Sequence, residues 1–129
     1  MSIYHKKIVH KDARGTLTDI FEKTTVNSCV LVTQNKGSIR GNHIHKKTIQ
    51  YTYILEGRLK FFSKPPKGKV TARIVQKGDF VVSPKGYAHT FLALKDSVLI
   101  AFANGPRGGK SYESDTYRLS IPLQKLIKK

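Results

Sequence analysis

At 129 residues, with 24 Lys+Arg against 8 Asp+Glu and a formal charge of +16, the chain has the length of one domain and a strongly basic balance. A chain of this size buries roughly two thirds of the surface it would expose unfolded, so it needs no covalent staples. Its single cysteine, Cys29, excludes an internal disulfide and a cysteine-rich zinc site, and no apolar run reaches the roughly 18 residues of a membrane-spanning helix.

The segment MSIYHKKIVHK carries no apolar core of a signal peptide, so a cytoplasmic protein is expected. It alternates weakly and predicts an edge strand, with His5 and His10 on the surface. Asp12 to Gly15 reads as a turn. TLTDIFEK alternates and predicts a strand, and SCVLVTQ predicts a second one with Cys29 as a buried thiol. Asn35-Lys36-Gly37 turns into a strand over 38–45. Thr48 to Gly57 continues as a strand with Ile49, Tyr51, Tyr53 and Leu55 on one face. Strands are predicted at Arg58 to Lys64 and Val70 to Gln76, separated by an exposed PPKGK loop, since proline cannot join a ladder. Short strands follow at FVVS and AHTFLAL, and Ser97 to Asn104 predicts a buried strand. Gly105 to Ser114 reads as a loop, with its Gly-rich start a flap at the mouth of the fold. The tail, 119–129, closes the chain after a short strand with a helical turn. Eight or more short strands with Gly, Pro and Asn turns and no sustained helical period predict a single all-β domain, sandwich or barrel, over 1–129.

Two stretches carry the chemistry. In GSIRGNHIHKKTIQYTYILEG, His43 and His45 sit two apart in a predicted strand, so both imidazoles point into one space. In GDFVVSPKGYAH, His89 follows a Pro-x-Gly turn.

These stretches resemble the two motifs of the cupins. Gly37, His43, His45, Gln50 and Gly57 stand at the spacing of G-x5-H-x-H-x4-E-x6-G, with Gln50 in the glutamate position. Gly78, Pro84, Gly86, His89 and Ala93 stand at the spacing of G-x5-P-x-G-x2-H-x3-N, with Ala93 in the asparagine position. The resemblance implies a cupin jelly-roll β-barrel with the histidines in its lumen. Arg40 to Lys46, RGNHIHK, is similar to the RG-x-H-x-H-K segment of sugar-nucleotide 3,4-ketoisomerases and of the cupin domains of capsular polysaccharide enzymes. Both belong to the RmlC-like cupins, whose 3,5-epimerases share only RG-x-H and use that histidine as a base. Asp12 to Gly15 and Asp115 to Arg118 resemble segments near the two ends of the same enzymes. The resemblance implies an isomerase or epimerase of a nucleotide-linked keto-sugar in surface polysaccharide biosynthesis, and a homodimer that exchanges N-terminal strands.

The site residues allow two chemistries. Imidazoles suit Zn, Ni, Fe or Cu, and His43, His45 and His89, with the Gln50 carbonyl, form a candidate ligand set for such an ion or for Mn. Gln50 in place of a carboxylate weakens that set, and the basic surround repels a dication. Alternatively His43 and His45 move protons beside a carbonyl, with Tyr53 or Tyr117 as the acid. A metal-bound histidine has committed its lone pair, so the two roles exclude one another for a given ring. Arg14 and Arg40 are candidate clamps for a diphosphate, with Lys46 and Lys47 adding charge near the rim. No organic cofactor is expected, and no aromatic-basic strip supports nucleic-acid binding. A cupin of another chemistry, a dioxygenase or small-acid isomerase, and a non-catalytic sugar-binding module remain alternatives, the last favoured by Gln50.

Overall fold

The computed structural model describes residues 3–106 and 110–126. Twelve strands are present among them: β1 (Ile3–His5), β2 (Ile8–Asp12), β3 (Gly15–Thr18), β4 (Ser28–Gln34), β5 (Ile39–Ile44), β6 (Ile49–Glu56), β7 (Arg58–Lys64), β8 (Thr71–Gln76), β9 (Asp79–Ser83), β10 (Ala88–Ala93), β11 (Ser97–Asn104) and β12 (Tyr117–Arg118). One short helix, α1 (Lys110–Ser114), and a 3-10 turn at Leu123–Lys125 complete the described elements. The antiparallel pairs form two five-stranded sheets, β1-β9-β6-β11-β4 and β12-β5-β10-β7-β8, and β2 and β3 make a separate hairpin. This is the jelly-roll architecture that the resemblance to the cupins implied.

Alternation places the core. Ile54, Val81 and Leu99 from the first sheet meet Leu59, Phe61, Val75, Phe91 and Ala93 from the second, all nearly inaccessible to solvent. Next to this apolar half, the inward positions of β6 and β11 are Gln50, Thr52, Ala101 and Ala103. Small and polar side chains there leave the interior unfilled, and a cavity results.

The apolar alternation of β6 faces away from that cavity. Tyr51 stacks on Phe80 with ring centroids 5.8 Å apart. Phe21 packs edge-on against Phe102 at 4.8 Å. The predicted strand TLTDIFEK therefore ends at Thr18, because Phe21 leaves the ladder to cover the outer face of the first sheet. Cys29 is exposed rather than buried. It shares the outward face of the edge strand β4 with Leu31, while Val30 and Val32 turn inward. The predicted loop at Gly105 to Ser114 becomes α1 in its second half; the predicted flap extends into 107–109, outside the described residues.

The outer face of the second sheet is covered by the tail. Leu119 and Leu123 pack with Ile44, Phe62, Ala88 and Leu92. Asn42 ties the tail down, its backbone O accepting from Leu119 N at 2.9 Å and its Oδ1 accepting from Leu123 N at 2.8 Å.

Candidate active site

The site begins with a bulge. β5 and β10 are out of step between His89 and Thr90, where Gly41 (φ 112°) and Asn42 (φ 57°) both have positive φ. Such backbone favours glycine, and asparagine tolerates it. A Cβ on Gly41 would lie 2.6 Å from the His89 carbonyl oxygen, so only glycine lets β10 come this close. The extra residue re-aims the strand, and Arg40 and His43 both reach the cavity wall.

Three rings then converge. His43 Nε2 lies 3.1 Å from His89 Nε2, and the centroids of His43 and His45 are 4.5 Å apart. One nitrogen of each ring lies within 4.8 Å of the others. His45 and His89 are buried, while His43 is partly open to the cavity. Burial, then the neighbouring His45 and Arg118, lower the His43 pKa to about 4. Burial and the other two rings hold His89 well below its ordinary value. Both are therefore neutral at pH 7, the state in which an imidazole can accept a proton or bind a metal.

The cavity, about 750 Å³, opens between the sheets. Arg40 and Arg118 lie on its wall, as do Tyr112 and Glu113 of α1. Arg40 Nη2 reaches across to the Thr33 carbonyl on β4 at 3.5 Å, a weakly held position. Arg118 stands opposite His43 in the β5–β12 ladder, with its Nη2 3.6 Å from Glu113 Oε1.

The structure thus joins His43, His45, Gln50, His89 and Arg40 around or beside one cavity, and it leaves out the other candidates. Tyr53 alternates with Thr52 and Ile54, so it lies on the outer face of β6, opposite the histidines. Tyr117 pairs with Ile44 and is exposed, and Lys46 Nζ sits 4.3 Å over its ring. Neither Tyr117 nor Lys46 lines the cavity. Arg14 is exposed on the β2–β3 hairpin, where its guanidinium bonds Asp12 at 2.7 Å and is the main reason the Asp12 pKa falls to about 2. Arg118 was not singled out from the sequence, although it follows Tyr117, and strand alternation turns it inward once Tyr117 faces out. Tyr112, Glu113 and Asp115 had no periodic signal, because a five-residue helix is too short to give one.

The donor set fits a metal ion. His45 Nε2 is buried with no hydrogen-bond partner among the described residues, as an uncapped lone pair would be, and His89 faces His43 through its Nε2. Gln50 commits its amide nitrogen to Thr52 Oγ1 at 3.2 Å, so its oxygen is the atom it would offer.

A family model for the cupins, described as Cupin, matches residues 18–116. The chain is a cupin. It is also 32% identical over 91 residues to an oxalate decarboxylase of Arthroderma benhamiae, covering 69% of the chain but only 21% of that longer protein. Among solved structures, it resembles a dTDP-4-dehydrorhamnose 3,5-epimerase from Sulfolobus tokodaii, with TM-score 0.74, 21% identity, and coverage of 93% of this chain and 76% of that one. The QdtA 3,4-ketoisomerase of Thermoanaerobacterium thermosaccharolyticum, in complex with TDP, also gives TM-score 0.74 and 21% identity, with coverage of 98% and 96%. At these identities the two structures establish a shared cupin fold. Among the described residues, no helix of this cupin is long and apolar enough to cross a membrane.

Proposed function

We propose that this cupin is an isomerase or epimerase of a nucleotide-linked keto-sugar in surface polysaccharide biosynthesis. The observation that carries the reading is the His43–His45–His89 cluster, with His43 and His89 neutral, beside a cavity that also presents Arg40 and Arg118. Removing a proton beside a ketone needs an unprotonated base, and guanidinium groups pair bidentately with the oxygens of a diphosphate. The cavity volume lies within the roughly 300–1,000 Å³ of small-molecule sites. Solved cupins of this shape include dTDP-sugar epimerases and a ketoisomerase, which supports the substrate class. The reading places the protein in the cytoplasm. Incubation with a panel of dTDP- and UDP-linked 4-keto sugars in D₂O is expected to introduce deuterium beside the ketone of at least one of them. No uptake across the panel removes the isomerase reading.

The unpartnered His45 Nε2 and the convergence of the three rings favour a second reading, in which His43, His45 and His89, with the Gln50 oxygen, hold a divalent transition metal. Bound there, the ion would polarise a substrate carbonyl.

The assembly we propose is a homodimer. Ile8, Val9 and Leu17 lie 56%, 59% and 62% exposed on the β2–β3 hairpin, large apolar side chains that one chain leaves to solvent. It is the hairpin that carries Arg14. Sedimentation equilibrium is expected to give twice the chain mass, and a monomer at micromolar concentration would exclude this arrangement.

A further inference from the structure

His45 is held by one residue in two ways. Its Nδ1 lies 3.0 Å from the backbone oxygen of Asp115. A carbonyl only accepts, so Nδ1 carries the hydrogen, and in the neutral ring Nε2 keeps the lone pair. The Asp115 side chain is buried and grips the residues that follow His45. Its Oδ1 accepts from Lys46 N at 3.0 Å and from Lys47 N at 2.9 Å, and its Oδ2 accepts from Thr48 Oγ1 at 2.7 Å. The carboxylate thus fixes the turn after β5, and with it the direction in which the ring leaves the strand. Nε2 is then left buried, unpartnered and directed toward the other two histidines.

We propose that Asp115 is the positioning residue that selects the Nδ1–H tautomer of His45 and aims its Nε2 lone pair at His43 and His89. Which nitrogen of a histidine carries hydrogen is set by the bond that the other makes. With hydrogen on Nε2, the ring could neither accept a proton there nor bind a metal. Asp115 therefore matters equally under both chemistries described above. Its carboxylate touches neither the cavity wall nor a reacting atom, so its effect passes through His45.

The test is long-range ¹H–¹⁵N correlation of the His45 ring together with steady-state kinetics. The wild type is expected to show the Nδ1–H tautomer alone. Asp115→Ala is expected to show a tautomer mixture, with kcat lowered about 10- to 100-fold and KM for the sugar nucleotide little changed. Asp115→Asn keeps an acceptor for the two backbone N–H groups and is expected to move the tautomer part of the way; it carries the test if the alanine variant does not fold. A pure Nδ1–H tautomer in a folded variant overturns the proposal. The kinetic arm rests on the isomerase reading, whereas the tautomer arm does not. A shifted tautomer in a protein that turns over no keto-sugar therefore supports the role of Asp115 and removes only the isomerase.

Discussion

Replacing Gly41 with alanine is expected to lower the melting temperature by roughly 10 °C or more and to abolish turnover in whatever protein remains folded. Two costs combine. The positive φ of 112° strains any L side chain, a penalty of about 1–3 kcal/mol. The new Cβ would also lie 2.6 Å from the His89 oxygen and 2.8 Å from Thr90 Cα. Both are main-chain atoms in a paired strand, so β10 has to move, and overpacking of this kind costs about another 1–3 kcal/mol. A few kcal/mol converts to a shift of that size in a chain of this length. Gly37 supplies the control. Its φ of 87° is also positive, but a Cβ there meets nothing within 4 Å. Gly37→Ala should pay the strain alone and keep its activity. Equal melting temperatures for the two variants would show that the approach of β10 to the bulge is not what requires glycine at position 41. Differential scanning calorimetry of both variants decides the matter.

His43→Ala is expected to slow deuterium incorporation by about 10²- to 10⁴-fold, the range for loss of a positioned acid/base group. Elemental analysis of the same two proteins separates the roles. About one metal per chain, lost in the variant, makes His43 a ligand; no metal in either leaves it free to move a proton. A variant that exchanges deuterium at the wild-type rate would remove His43 from the chemistry altogether. The same substitution changes the response to acid. The unfolded chain takes a proton on His43 near pH 6.5, whereas the folded chain refuses it until about pH 4. Between these values the unfolded state binds more protons, so stability is complete above 6.5 and declines as the pH falls toward 4. The shift corresponds to at most about 3 kcal/mol. His89, also lowered, acts in the same direction. Urea unfolding at pH 7 and pH 5 should therefore show a smaller acid loss in His43→Ala than in the wild type. An identical loss would mean that the His43 ring is better solvated than its burial implies.

His43 and His45 were legible from their spacing on a strand, and His89 joined them through the resemblance of its segment to the second cupin motif. His43 and His45 share a face at any strand register, and the glycines at 37, 57, 78 and 86 all have positive φ at turns. Sidedness was less legible. β6 is covered on both faces, so the run Ile49, Tyr51, Tyr53, Leu55 could not reveal that the polar set Gln50 and Thr52 faces the cavity. Tyr53 was misplaced for that reason. Cys29 looked buried because SCVLV reads as an inner strand, but β4 is an edge with one face to solvent. Arg118 depends on β12, a two-residue strand with no periodicity of its own, and its place follows from pairing with β5. Asp115 is placed by hydrogen bonds to residues 46–48, and both are long-range facts that local pattern does not carry.

The left-handed Asn42 has a wider meaning. It lies one residue before His43, and three of its polar groups engage the tail: the backbone O and Oδ1 accept from Leu119 and Leu123, and Nδ2 donates to Gln124 Oε1 at 3.1 Å. The last described turn is thus wired to the strand that presents His43. Shortening or extending the chain near that end is expected to displace His43 from a distance, so that a protein with an altered C-terminus would be mistaken for one damaged at its centre.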